Sequence, residues 1–345
     1  EQREYIARVQ TPMPELRQNI VTRDWVIIAT ERARRPDAFA VQREHLTPPL
    51  RHDPACPFCP GNESHTGEEH IRVDGPEGWL VRVIANKYPA LVREGLPMRR
   101  LNGIYRSMNA IGYHEVVIEH PRHDLHPHQL PLEHLTRVLQ MYRRRYLELR
   151  TDPRVEAITV FRNHGAGAGT SQPHPHSQIV ATPIVPAQTR TRLEIAIRYF
   201  DETGECVFCR TVRDERSVAE RVICANRNFV AFIPYAALSP FHLWVFPLRH
   251  MSSYDMCTDE ELSDLAEVLR TVFGKLTTGL NDPDYNMLIR SLPVRLVQSD
   301  YFHWYISIVP RISVAAGFEL GSGMFINPSI PEESARFLRE ILPVH

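Results

Sequence analysis

The densest chemistry of the chain lies in Phe161-Arg162-Asn163-His164-Gly165-Ala166-Gly167-Ala168-Gly169-Thr170-Ser171-Gln172-Pro173-His174-Pro175-His176-Ser177-Gln178. Glycines alternating with alanines permit positive φ and close backbone approach, so that successive N–H groups can face phosphate oxygens. Such a run alone says little. It is neither Gly-x-Gly-x-x-Gly nor a P-loop, since no Gly-Lys-Ser/Thr follows and the next element reads as a strand. On that strand His174, His176 and Gln178 alternate and are expected to share one face. One histidine can then hold a metal while its neighbour attacks phosphorus, because a neutral imidazole is a competent nucleophile when its other nitrogen is fixed by a hydrogen bond. For His176 the bland alternative is an ordinary polar strand residue, which the company of His174, Gln178 and the glycine loop disfavours.

Four of the six cysteines form two Cys-x-x-Cys pairs, Cys56/Cys59 and Cys206/Cys209. A structural zinc takes four ligands in a tetrahedron, and two thiolates from one turn plus two imidazoles can supply them. The first half offers Cys56, Cys59, His123 and His174, and the second offers Cys206, Cys209, His250 and His303. Thiolate and imidazole select zinc over magnesium or calcium, with iron an alternative at the second site. The pairs can also be read as disulfides, redox motifs or one shared site, and the histidines as strand-end polar groups. Cys224 and Cys257 have no such partner and read as small buried apolar side chains. His164 and His242 are assigned no role.

The elements that would position these residues occur twice. Each Cys pair is followed by an Asn-bearing segment (Asn86, Asn226), a strand ending in Arg-His (His114 to His123, Phe241 to His250), a helix, and a His-bearing strand (His174 to Val180, His303 to Pro310). The helices are expected over Leu130 to Arg150, where Leu132, Leu135, Leu139, Tyr142 and Tyr146 keep a helical period, and over Thr258 to Leu280, opened by Thr258-Asp259-Glu260-Glu261. The offset from His123 to His174 is 51 residues and from His250 to His303 it is 53, which a duplicated α+β unit explains. Tyr305 stands where the first half has His176, so the repeat kept a metal histidine and lost the nucleophile. The boundary is placed near 187 to 203, with a short helix from Gln188 to Phe200. This divides the chain into a catalytic half, 1–187, and a second half, 188–345.

With 40 Lys plus Arg against 41 Asp plus Glu, the net charge of -1 gives no polyanion-binding surface, and no nucleic-acid partner is expected. No run of about 18 apolar residues is uninterrupted, so no membrane span is expected. Residues 1 to 20 show no apolar central region, which predicts a cytoplasmic protein without a secretory leader.

His174-Pro175-His176-Ser177-Gln178 after a Gly/Ala-rich loop resembles the active-site motif of the galactose-1-phosphate uridylyltransferase family, part of the histidine-triad superfamily. The resemblance runs from Pro14-Glu15-Leu16-Arg17 to the closing helix. It implies tandem histidine-triad-like domains of α+β class, each an antiparallel sheet with flanking helices. It makes His174 a zinc ligand alongside Cys56, Cys59 and His123, and His176 the carrier of a covalent uridylyl group. Gln178 stands where the hydrolase branch has a third histidine, and Asn86, Asn163 and Ser171 match positions that contact nucleotide or phosphate. Gly167, Gly169 and Ser171 are expected to stabilise developing charge.

Two departures stand out. The best-known bacterial members build their second metal site without a Cys-x-x-Cys pair, and the segment Gly317 to Pro328 is similar to the branch that includes a plant ADP-glucose phosphorylase. Phe318, Glu319 and Asn327 within it read either as a lid or sugar-phosphate site, or as a plain turn before a helix opened by Pro331-Glu332-Glu333. The activity implied is ping-pong transfer from UDP-glucose to galactose 1-phosphate. ADP-glucose phosphorolysis and dinucleoside polyphosphate hydrolysis are the alternatives, the last disfavoured because Gln178 cannot act as an acid. The partners implied are a nucleotide sugar, a sugar 1-phosphate and a second copy of the chain.

Overall fold

The computed structural model describes residues 13–29, 36–41, 50–296 and 298–343. The first twelve residues, on which the leader expectation partly rests, lie outside the described residues. The strands are β1 Glu15–Gln18, β2 Trp25–Ile28, β3 Glu69–Gly75, β4 Gly78–Ala85, β5 Arg99–Asn102, β6 Tyr105–Met108, β7 Tyr113–Ile118, β8 Ala157–His164, β9 His176–Thr182, β10 Val222–Ala225, β11 Phe229–Phe232, β12 Leu243–Pro247, β13 Tyr285–Arg290, β14 Tyr305–Pro310 and β15 Phe325–Asn327. The helices are α1 Leu132–Leu149, α2 Ala187–Thr203, α3 Val207–Val218, α4 Asp259–Leu280, α5 Gly317–Ser322 and α6 Pro331–Glu340.

Ten strands form one sheet in the order β10-β11-β12-β14-β13-β8-β9-β7-β4-β3, and every pairing in it is antiparallel. Read outward from the β8–β13 seam, the two halves run β8-β9-β7-β4-β3 and β13-β14-β12-β11-β10, which is the same order of parts. The duplicated α+β unit is therefore visible in the topology. The two five-stranded halves are fused into one sheet, with Tyr285 opposite His164 and Asn286 opposite Asn163.

One sheet face is closed by α1 and α4. On α1 the buried positions Leu135, Val138, Leu139, Tyr142, Tyr146 and Leu149 form one stripe, as the helical period requires. α4 starts where the sequence signals it: Thr258 Oγ1 accepts the Glu261 N–H and the Glu261 carboxylate accepts the Thr258 N–H, a capping box worth about 1 kcal/mol. Side chains of both helices merge with Val117, Ile179, Ala181, Val245, Ile306 and Ile308 in a single core that spans both halves. On the opposite face the halves differ. In the second half Phe208 and Val212 of α3 and Ala196 of α2 cover Phe232, Trp244, Phe246 and Tyr305. In the first half the same face carries only a small cluster of Trp79, Ile84, Val116 and Ile118 with Phe58 against it. No helix is long and apolar enough to cross a membrane among the described residues.

Three local expectations are corrected. His174 does not lie on the strand with His176: β9 begins at His176, because Pro175 has no N–H to continue the ladder, and His174 sits in the bend before it. Likewise His303 precedes β14. Asn226 is not the counterpart of Asn86. It forms the β10–β11 turn, its Oδ1 accepting the N–H groups of Asn228 and Phe229, whereas Asn86 follows β4 and donates its backbone N–H to the His114 carbonyl.

Candidate active site and metal centres

Cys56, Cys59, His123 and His174 meet in a buried group whose ligand atoms all lie within 4.8 Å of one another. Cys59 Sγ stands 3.6 Å from His123 Nδ1 and 3.5 Å from His174 Nδ1, and Cys56 Sγ stands 3.7 Å from His174 Nδ1. Sulfur and nitrogen on a tetrahedral zinc, at bond lengths of about 2.3 and 2.0–2.1 Å, are about 3.5 Å apart, so the residues fit such an ion. The surroundings fit too. His174 Nε2–H donates to the His120 carbonyl at 2.8 Å, which leaves Nδ1 its lone pair, and the N–H groups of Asp53 and Phe58 donate to Cys59 and Cys56 sulfur.

The second cluster groups Cys206, Cys209 and His250. His303 Nδ1 reaches Cys209 Sγ at 3.3 Å but stands outside that mutual set, while His250 Nδ1 is 3.1 Å from the same sulfur and its Nε2–H donates to the Ser299 carbonyl. All six cysteines are free, so the disulfide reading does not describe this structure, and each half gathers its own ligands without a shared site. Cys257 is buried in the core, and Cys224 packs against it from the edge strand β10.

His176 lies beside the first cluster. Its Nδ1–H donates to the His174 carbonyl at 2.9 Å, which places the lone pair on Nε2. Burial pushes its pKa below the ordinary histidine value, outweighing the opposing backbone bond, so the neutral form is favoured. A cleft of about 320 Å³ opens over this face of the sheet, lined by His176, Gln178, Asn86, Lys87, Ser171 and Phe58 among others. Phe58, between the two cysteines, meets the His176 ring edge-on at 5.3 Å between centroids. The metal loop thus supplies a wall of the cleft, a link the Cys-x-x-Cys spacing does not announce.

The glycine loop is occupied from within. Gly167 N–H donates to Asp284 Oδ2 at 2.6 Å, and Gly169 N–H donates to the Ala166 carbonyl at 3.0 Å. Neither N–H is open to a phosphate as expected, because the anion this loop encloses is the Asp284 carboxylate from the second half. A Cβ on Gly165, at φ +82, would lie 1.8 Å from Asp284 Oδ1, so only glycine fits there. Asn163 does not line the cleft either: its Oδ1 accepts from Asn286 Nδ2 at 2.9 Å, and that same amide holds the Ala168 carbonyl. Asp284 and Asn286 were missed, and only their place ahead of and on a strand next to the loop could have flagged them.

Among the expected sugar-phosphate residues, Phe318 is exposed and Glu319 caps the start of α5 by accepting the Ala316 N–H. Asn327 is fully buried, with its amide on the Ala237 carbonyl and its Oδ1 on Ser329, so it serves the small β1-β2-β15 sheet. None of the three lines the cleft within the chain. His164 is held by Asp282 and stacks on Tyr285, in keeping with a structural part.

The profile of the family described as galactose-1-phosphate uridyl transferase, N-terminal domain, matches residues 5–186. The chain belongs to this family. It is thereby an enzyme of the hexose-1-phosphate uridylyltransferase type. Over 338 residues it is 37% identical to an ADP-glucose phosphorylase of Arabidopsis thaliana, spanning 96% of this chain and 94% of that protein. It is 28% identical over 338 residues to a galactose-1-phosphate uridylyltransferase of Thermotoga maritima, spanning 95% and 98%. A crystal structure of the Arabidopsis ADP-glucose phosphorylase with bound ADP-glucose superimposes with a TM-score of 0.79 at 34% identity, over 95% of this chain and 99% of that one. The chain thus resembles both branches over nearly its whole length.

Proposed function

We propose that the protein transfers a nucleotidyl group between phosphate-bearing acceptors through a covalent intermediate on His176, with UDP-glucose and galactose 1-phosphate as the substrate pair. The observation that carries the reading is His176 itself: one nitrogen tied to a backbone carbonyl, the other free in a cleft that Gln178, Asn86 and Ser171 also line. Nε2 attacks the α-phosphorus, an Nε2–P bond forms, the bond from α-phosphorus to the bridging oxygen breaks, and sugar 1-phosphate leaves. A phosphate oxygen of the second acceptor then attacks the same phosphorus, and the Nε2–P bond breaks. Gln178 stabilises the non-bridging oxygen of the nucleotidyl group, and lacking an acid proton it disfavours the hydrolase outcome. Asn86 and Ser171 contact the nucleotide and its phosphate, while Asn163, Gly167 and Gly169 shape the loop that delivers Ser171.

Gln178→Ala is expected to slow turnover by about 100- to 1000-fold with nucleotide-sugar binding nearly unchanged. Steady-state kinetics checks this, and an equal rise in KM at unchanged kcat would assign Gln178 to simple binding.

A second reading, adenylyl transfer from ADP-glucose to inorganic phosphate, is favoured by the higher identity to the plant phosphorylase. Incubation with UDP-glucose and, separately, ADP-glucose, each followed by intact-protein mass, distinguishes the two. A UMP adduct discharged by galactose 1-phosphate establishes the uridylyltransferase. An AMP adduct discharged by phosphate establishes the phosphorylase, and no adduct from either overturns both.

The reading includes zinc in each Cys/His cluster, with iron the alternative in the second, a cytoplasmic location and a homodimer. In such a dimer the exposed Phe318 and Glu319 meet sugar phosphate only in the cleft of the other copy.

A further inference from the structure

His114, on β7, touches three groups at the edge of the cleft. Its Nδ1 accepts the Ala90 backbone N–H at 3.1 Å, and its Nε2 lies 2.7 Å from Gln178 Oε1. The first bond decides the tautomer: with Nδ1 accepting, the proton is on Nε2, which must donate to Gln178. Gln178 then has its oxygen engaged and only N–H donors left for the cleft it lines. Asn86 Nδ2 lies 3.1 Å from the same His114 nitrogen, and its Oδ1 is committed to the Tyr88 N–H. Two donors cannot bond, so the Asn86 amide hydrogens are also left for a ligand.

The same couple recurs in the other half. Val116 pairs with Gln178 and Trp244 with Ser307, so His242 is the register counterpart of His114 and Ser307 of Gln178. There His242 Nε2 stands 2.9 Å from Ser307 Oγ, beneath the helices that cover Tyr305. The reach of a histidine across to the residue two past the nucleophile position is thus set by strand register; in the first half its partner Gln178 meets the cleft, and in the second its partner Ser307 is buried.

We infer that His114 is a positioning residue that fixes the amide of Gln178 with its N–H groups toward the transferring phosphoryl group. The inference rests on the proposed nucleotidyl transfer. A side-chain amide free to rotate would present its oxygen to the phosphate part of the time, where it repels rather than stabilises.

Two near-isosteric variants separate orientation from anchoring of the 86–90 segment. His114→Asn keeps an acceptor for the Ala90 N–H but cannot reach Gln178, and His114→Gln reaches Gln178 but gives up Ala90. The assay is exchange of labelled glucose 1-phosphate into UDP-glucose or ADP-glucose, whichever the wild type turns over. A wild type with no exchange would sink the transferase reading itself. With wild-type exchange established, His114→Asn is expected to lower kcat by about tenfold with KM little changed, less than outright deletion of the donor, and His114→Gln to stay within about threefold of wild type. In a Gln178→Ala background the two variants should become equal. The reverse order, or a His114→Asn loss undiminished in the Gln178→Ala background, would overturn the inference and make His114 a structural anchor. Thermal melts of both variants confirm that folded protein is compared.

Discussion

Replacing His176 by glycine is expected to leave a folded protein that never acquires a nucleotidyl adduct, with transfer slowed by roughly 10⁴-fold or more, the range for deleting a covalent nucleophile. Its Nδ1–H bond to the His174 carbonyl fixes the imidazole with Nε2 toward the cleft, and among the described residues the other histidine lining the cleft is His65. His65 is exposed at the end of a short 3-10 turn, and among the described residues no hydrogen bond to its ring sets its tautomer, so it is a poor substitute. The measurement is intact-protein mass after incubation with nucleotide sugar, together with a thermal melt. A His176→Gly protein that still carried the adduct would place the nucleophile elsewhere and remove the central step of the mechanism.

The second large effect is expected at the first Cys/His cluster. Cys59→Ala removes the sulfur that meets both His123 and His174, and Phe58 beside it forms a wall against the His176 ring. Metal content is expected to fall by about one ion per chain, the melting temperature to drop, and transfer to fall by about 100-fold or more as that wall is released. Cys209→Ala in the second cluster should also cost metal, yet leave turnover within about tenfold, because its cluster lies on the half whose corresponding face is filled by Phe208, Trp244, Phe246 and Tyr305. Elemental analysis, a melt and an exchange assay on both variants test the contrast. Full turnover in Cys59→Ala would show that the cleft wall stands without its ligands.

Why some of this was legible in the residues and some was not follows from the range of each interaction. The Cys pairs, His176 and Gln178 announce themselves because ligand spacing in a turn and alternation along a strand are local rules. The two long helices were legible for the same reason: their buried stripes and the Thr258 capping box are short-range patterns. The β8–β13 seam was not, since the alternation along β8 and β13 marks which face of each strand is buried and not which neighbour it pairs with. That hidden pairing explains the misreading of the glycine loop, whose composition invites an anion without saying that Asp284 is the anion. His174 was assigned to the strand by alternation, and the missing N–H of Pro175 decided otherwise. His114 was read only as part of a strand, because its bond to Gln178 crosses between strands 64 residues apart in sequence.

The seam also bears on inheritance. After a duplication, the copy that loses its nucleophile is ordinarily free to drift, but here the silent copy holds the loop of the working one through Asp284 and Asn286. Substitutions that damage this enzyme should therefore be scattered over both halves of its coding sequence, and those at Asp284 would pass for active-site lesions although they fall in the half that has Tyr305 at the place of His176.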